Sequence, residues 1–445
     1  MKTSTIYSCA GCGHSAARWF GRCSRCGSWD SAGVETDRSG AASDTLEIAG
    51  LDSAGGPAPR FITDVPELDR VLGGGVVPGS VVLLSGDPGV GKSTLVLQMV
   101  DGLLASGAPG LLISGEESLE QISIRARRLG VDAKGLRAAA SDSLPAILAT
   151  AARERPSVLV VDSIQTLRDP QHDPPPGSVV QVRECAAALA RFAKASGTAV
   201  VMIGHVTKEG TVAGPRTLEH LVDAVLSLEG ERSGTFRLLR ALKNRFGSCD
   251  EAGVFIMEAR GLQGVEDPSA MFLADRLAGV PGSIVFPGIE GARPVLIEVQ
   301  ALLASTNLAQ PRRVAIGCDA RRLALLVAVT TQRVGPVADR DVFVAAAGGL
   351  QIREPAADLA LCLAMVSSYA DRAIGDGTVA VGEVGLAGEI RRVPGIQRRV
   401  SEARRLGFTR ALVPRGSTVD VAGIDVDEVT DLAEACRRAG CLPAP

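Results

Sequence analysis

Residues 86–94 read GDPGVGKST, directly after the β-branched run SVVLLS (80–85) and directly before the helical run TLVLQMVDGLLA. This is G-x-x-x-x-G-K-[ST] in the strand–loop–helix setting that gives the motif its physical meaning. Its glycines let backbone N–H groups wrap phosphates at a helix N-terminus, whose partial positive charge adds to the attraction. The chain must therefore build a sheet that carries a nucleotide loop. Gly86, Asp87, Pro88, Gly89, Val90, Gly91, Lys92, Ser93 and Thr94 form the candidate ATP cradle. Lys92 is expected to reach the β- and γ-phosphates, and Ser93 to offer its hydroxyl to Mg2+.

Further apolar runs alternate with helical patterns from residue 61 to about 265, which predicts an α/β sheet. They are GLLIS (110–114), SVLVV (157–161), TAVVMIG (198–204) and DAVLSLE (223–229). TFRLLRALK (235–243) and AGVFIMEAR (252–260) read as an antiparallel extension. Asp162 ends SVLVV, where a second acidic element would hold magnesium or its water. Glu116 and Glu117 follow GLLISG. Glu116 is the expected catalytic carboxylate that orients the attacking water, while Ser118 could cap the next helix with both acids in its first turn. His205, ending TAVVMIG, could sense the γ-phosphate or simply close a strand. In KNRFG (243–247), Lys243 and Arg245 are either a solvated strand end or a cation pair aimed at an anion.

Four cysteines fall early, as Cys9-Ala-Gly-Cys12 and Cys23-Ser-Arg-Cys26. Each pair can turn two thiolates onto one ion, and two such knuckles close a tetrahedral, structural zinc site, which leaves His14 out. No leader peptide or bilayer-spanning run is apparent, so a cytoplasmic chain is expected, in which cysteines serve as metal ligands or small core residues. The formal charge of −3 argues against a uniformly basic nucleic-acid sleeve. DNA contact would need local loops: LRDPQHDPPPGSVVQ (167–181) and VTKEGTVAGPRT (206–217), the latter with Lys208 and Arg216 as candidate DNA-binding residues. Neither loop has aromatic residues, so phosphate contacts would dominate. The domain reading is a four-cysteine zinc finger over 1–30, a Ser/Ala/Gly-rich linker over 31–60, an ATPase domain over 61–265 and a last domain over 268–445. The last has shorter strands and two late helices.

ELDRVLGGGVVPGSVVLLSGDPGVGKST (67–94) resembles the entry to the RecA-like P-loop ATPase core. With the four-cysteine start, GEES (115–118), VTKEG (206–210) and KNRFG, nearly the whole chain resembles the RadA/Sms family of bacterial DNA repair and recombination proteins. The resemblance implies a hexameric, DNA-dependent ATPase similar to DnaB-type helicases. It would bind single-stranded and branched DNA and drive branch migration alongside a RecA-type recombinase. Loops like those above would face a central channel. Lys243 and Arg245 would reach a neighbouring subunit's γ-phosphate as arginine fingers do.

DVFVAAAGGLQIREPAADLALCLAMVSS (341–368) and VGEVGLAGEIRRVPGIQRRVSEARRLGF (381–408) resemble the Lon protease catalytic domain. An ATP-dependent protease or protein remodeller is therefore the rival reading. The family's serine position falls on Ala356 and its lysine position on Arg399. Alanine has no nucleophile and arginine stays protonated, so a non-proteolytic Lon-like α/β domain is expected. Arg391, Arg392, Arg398, Arg399, Arg404 and Arg405 form either a DNA-binding face or the solvated side of a helix.

Overall fold

A computed structural model describes residues 6–9, 12, 14–16, 19–29, 32–35, 59–131, 135–205, 218–230, 236–349 and 351–442. The chain divides into two units, residues 1–57 and 58–445. In the first, β1 (Ile6–Cys9) lies between β2 (Ser15–Ala16) and β3 (Ala32–Glu35), both antiparallel to it. β3 is drawn from the beginning of the Ser/Ala/Gly-rich stretch and pairs Ala32 with Cys9.

The second unit begins with α1 (Pro66–Leu72), which Gly73 ends in the left-handed region. Then follow β4 (Val81–Gly86), α2 (Lys92–Ala105), β5 (Gly110–Ser114), α3 (Leu119–Leu129), β6 (Arg137–Ala140), α4 (Leu144–Glu154), β7 (Val158–Asp162), α5 (Val179–Ser196), β8 (Ala199–His205) and β9 (Ala224–Glu229). The six strands are parallel, in the order β9-β4-β8-β7-β5-β6. Their runs are apolar on both faces because helices cover both sides, as a parallel sheet requires. β10 (Phe236–Asn244), β11 (Ala252–Glu258) and β12 (Gly261–Gly264) extend it antiparallel beyond β9, into a nine-stranded sheet.

A second, seven-stranded sheet is built from β13 (Ser283–Glu290), β14 (Arg293–Ser305), β15 (Arg313–Ile316), β16 (Arg340–Ala346), β17 (Thr378–Ala380), β20 (Arg410–Pro414) and β21 (Asp425–Val429). The hairpin of β18 (Glu383–Val384) and β19 (Ile390–Arg391) lies apart from it. Its central helix, Asp358–Ala370, is buried from Asp358 through Ser367. The described residues hold five helices after residue 267, where two were expected. The two sheets are tied by ion pairs. Arg293 on β14 donates to Glu67 of α1 at 2.8 Å, and Arg240 on β10 pairs with Glu290 on β13.

Candidate functional site

β4 is central in its sheet, so its carboxyl end has neighbours on both sides. Registers set Gly86 opposite His205 of β8, and Ser114 of β5 opposite Asp162 of β7. The phosphate loop, Ser114 and its following acids, Asp162 and His205 therefore share one sheet edge, where doubly wound sheets bind ligands. Gly86 has φ +152°, and a Cβ there would lie 2.4 Å from the Leu228 carbonyl oxygen. Only glycine lets the loop leave β4 this close to β9.

Lys92, 4% exposed, donates to the carbonyls of Gly86 and Asp87 at 2.8 and 3.0 Å. Burial pulls its ammonium below its ordinary value, opposed by the nearby charges of Asp162, Glu116 and Asp87. Burial pushes the Asp162 carboxyl up, against a hydrogen bond from the Ser93 hydroxyl. Its Oδ1 is buried without a hydrogen-bond partner. A buried, partnerless carboxylate oxygen beside a serine hydroxyl is a donor set that fits Mg2+.

The two glutamates separate by environment. Ser118 caps α3 with a full capping box, and Ser114 Oγ receives the backbone N–H groups of Glu116 and Glu117 at 3.2 and 3.0 Å. Glu117 pairs with Arg125 of α3. Glu116 instead accepts from Ser163 and lies 3.1 Å from His205 Nε2 through the same oxygen. The His205 hydrogen bond, followed by that of Ser163 and the charge of Lys92, outweighs desolvation and holds its carboxyl down at about 2. Glu116 is thus an ionised, oriented acceptor on the phosphate-loop edge.

One residue here went unnoticed in the sequence. Arg237 of β10 is 4% exposed, and its Nε donates to the Val90 carbonyl of the phosphate loop at 2.9 Å. Its NH1 donates to the Phe236 carbonyl at 2.7 Å, and burial pulls the guanidinium below its ordinary value. Gly230 makes room for it, since a Cβ there would lie 2.6 Å from Arg237 Cδ. The available signal was alternation: Arg237 shares its strand face with buried Leu239 and Ala241, where an arginine needs a partner inside.

KNRFG lies elsewhere. β10 runs antiparallel to β9, with Leu239 opposite Leu228 and Asn244 opposite Ala224. A bulge between Ala241 and Lys243 sets Lys243 opposite Val225, three residues from the level of Gly86 and so about 10 Å along the sheet, at roughly 3.3 Å per residue. Lys243 caps the carbonyls of Glu219 and Val222 at 2.5 and 2.7 Å, while Arg245 pairs with Asp223 at 3.0 Å and stays 56% exposed. Half-buried Phe246 is held by Arg60, which donates to its carbonyl at 2.6 Å. Lys208 and Arg216, with the whole of 206–217, lie outside the described residues. The 167–181 loop is anchored by buried Gln181, which bonds Asp169 and the His172 carbonyl.

In the first unit, the Sγ atoms of Cys9, Cys12, Cys23 and Cys26 all lie within 4.8 Å of one another. Cys9–Cys26 and Cys12–Cys23 stand 3.6 Å apart. A tetrahedral ion with metal–sulfur bonds of about 2.3 Å puts its sulfurs roughly 3.8 Å apart, so the four thiols fit zinc. His14 Nε2 is engaged with the Ser24 hydroxyl at 3.1 Å.

In the second sheet's domain, Ala356, the position expected for the family's serine, is buried at 3% exposure. Arg399, 1% exposed, holds Glu354 through both nitrogens at 3.0 and 2.5 Å and donates to the Pro287 carbonyl at 2.8 Å. Among its arginine neighbours, Arg391 pairs with Glu389, and Arg405 with Asp267 and Glu402. Arg392, Arg398 and Arg404 are exposed.

A Rubredoxin metal binding domain model matches residues 7–32, an AAA domain model 57–211, and a Lon protease (S16) C-terminal proteolytic domain model 336–434. The chain is 48% identical over 447 residues to DNA repair protein RadA of Pseudomonas aeruginosa, covering 98% of each chain. It is 44% identical over 455 residues to that of Bacillus subtilis, covering 98% of this chain and 99% of the relative. With that of Escherichia coli the identity is 45% over 444 residues and 96% of each chain. The identity with these relatives runs over nearly the full length of each, and the chain belongs to the RadA family of DNA repair proteins.

Proposed function

We propose that this chain is a cytoplasmic, DNA-dependent ATPase of DnaB type that processes recombination intermediates by branch migration, alongside a RecA-type recombinase. The carrying observation is the division of charge in the nucleotide sheet. Lys92, Ser93, Asp162 and Glu116 gather on one edge, whereas Lys243 and Arg245 sit toward the other. A subunit cannot fold these two cations onto its own phosphate loop across its own sheet. A ring of copies, six in the reading favoured here, would let them meet a neighbour's γ-phosphate. In that reading Lys92 neutralises the phosphates, Ser93 and Asp162 hold Mg2+, and Glu116 orients water. Zinc would fix the ribbon fold, and the loops at 167–181 and 206–217, with Lys208 and Arg216, would track single-stranded DNA. Ala356 and the committed Arg399–Glu354 pair support a non-proteolytic role for the Lon-like domain.

The test is ATP turnover with and without single-stranded and branched DNA, for wild type, Lys92→Ala and Lys243→Ala. DNA should accelerate the wild type, and both variants should fall to near background while Lys243→Ala still binds ATP. Mixing the two variants should restore part of the turnover. A wild-type rate indifferent to DNA across a range of salt would remove the motor reading; mixtures that stay silent although both variants assemble would remove the trans role.

A further inference from the structure

Both tryptophans of the chain, Trp19 and Trp29, belong to the cysteine ribbon, and they are 60% and 73% exposed. Indole rings normally bury most of their area, and an exposed pair on so small a module marks a contact surface. Both rings are placed by local structure. The Trp19 ring lies over Gly21, where a Cβ would meet its Cη2 at 3.4 Å. Trp29 is joined to Arg22 by an antiparallel bridge, and the Arg22 guanidinium stands 5.6 Å from its ring centroid. Arg22 Nε in turn donates to the Gly27 carbonyl at 3.3 Å, which holds the cation over the ring.

Charge indicates what such rings would meet. Residues 1–29 contain Lys2, Arg18, Arg22 and Arg25 but no aspartate or glutamate, in a chain with a net charge of −3. Over the whole ribbon, Asp30, Glu35 and the two net charges of four thiolates around a divalent ion offset those cations, so the charge that matters is local: Arg18 precedes Trp19 in the sequence and Arg22 stands over Trp29. Flat aromatic faces beside arginine suit unpaired bases on a phosphate backbone.

We propose that the ribbon is a single-strand contact in which Trp19 and Trp29 stack on unpaired bases while Arg22 and Arg25 neutralise the adjoining phosphates. The inference rests on the reading of single-stranded DNA as a ligand and adds the surface that grips bases. It supplies the stacking element that both channel loops lack.

Because the ribbon holds every tryptophan, the intrinsic fluorescence of the full chain reads this surface alone. Titration with a short oligothymidylate should quench it saturably, in step with the anisotropy of the same oligonucleotide carrying a label. An abasic strand of equal length should bind more weakly and leave the emission unquenched. Trp19→Ala and Trp29→Ala should each weaken oligothymidylate binding roughly 5- to 150-fold, the span that single base–aromatic stacks give, with zinc content unchanged. Phenylalanine at either position should restore most of the affinity. If anisotropy reports binding while the emission stays constant and both alanine variants bind normally, the stacking surface is refuted and the single-strand reading survives. If no oligonucleotide binds the full chain, both fall. Quenching by a protein partner with none by any oligonucleotide also overturns the proposal.

Discussion

Arg237→Met tests whether the antiparallel extension helps hold the phosphate loop ready for nucleotide. Methionine keeps the length of the stem lying against Gly230 but loses the guanidinium, and with it the 2.9 Å bond to the Val90 carbonyl. Val90 is 2% exposed, so water cannot readily replace the lost donor. A hydrogen bond from a charged group to a buried acceptor contributes about 1.5–3 kcal/mol. If that energy keeps the empty loop ordered, the variant must order it when ATP binds. Its Kd should then rise roughly 10- to 150-fold, at about 1.4 kcal/mol per factor of ten. Arg237→Lys, which keeps a cation without the planar fork, should fall between the two. Calorimetric titration with MgADP measures the affinity, and thermal unfolding with and without nucleotide separates a loop effect from a global one. An affinity within about threefold of wild type, alongside a large drop in the melting temperature of the empty protein, would refute the bracing role and leave Arg237 a packing residue.

His205 gives a pH signature. Its hydrogen bond is the leading cause holding the Glu116 carboxyl near 2, a depressed value, so the carboxylate stays charged until pH falls through about 2. In His205→Ala the value should move up toward the ordinary glutamate range. The acid side of the ATPase pH profile should then shift to higher pH, and an unshifted profile would separate His205 from Glu116. For Arg399→Ala, losing one partner of a buried pair costs about 3–5 kcal/mol, toward the lower end because Glu354 is 29% exposed and can hydrate. Chemical denaturation of the full chain should show an earlier transition for the Lon-like domain. An unchanged midpoint would mean that Glu354 finds another cation.

The nucleotide loop was legible because its chemistry is contiguous: strand, glycines, lysine and hydroxyl follow one another within a dozen residues, and the family resemblance, drawn from it together with the cysteine pairs, GEES, VTKEG and KNRFG, is borne out by full-length relatives. The separate duties of Glu116 and Glu117 were only half legible. The capping serine was readable, but Ser163 and His205, which engage Glu116, come from two other strands. Arg237 escaped because its partner, Val90, lies 147 positions away. The later helices were undercounted for a different reason. Asp358–Ala370 is apolar on nearly every side, so it shows little 3.6-residue period to distinguish it from a buried strand. The arginine run 391–405 could not be sorted at all from spacing, since Arg399 is buried against Glu354 while Arg398 beside it is exposed.

β10 carries Arg237 against its own phosphate loop and Lys243 toward the opposite margin, about 17 Å along a single strand. Pairing with β11 ends at Arg240, and a bulge between Ala241 and Lys243 interrupts the ladder to β9, so the tip of β10 that carries Lys243 is not rigidly coupled to the end braced by Arg237. The position of the lysine is set locally, by the carbonyls of Glu219 and Val222 that it caps, and not by the phosphate loop.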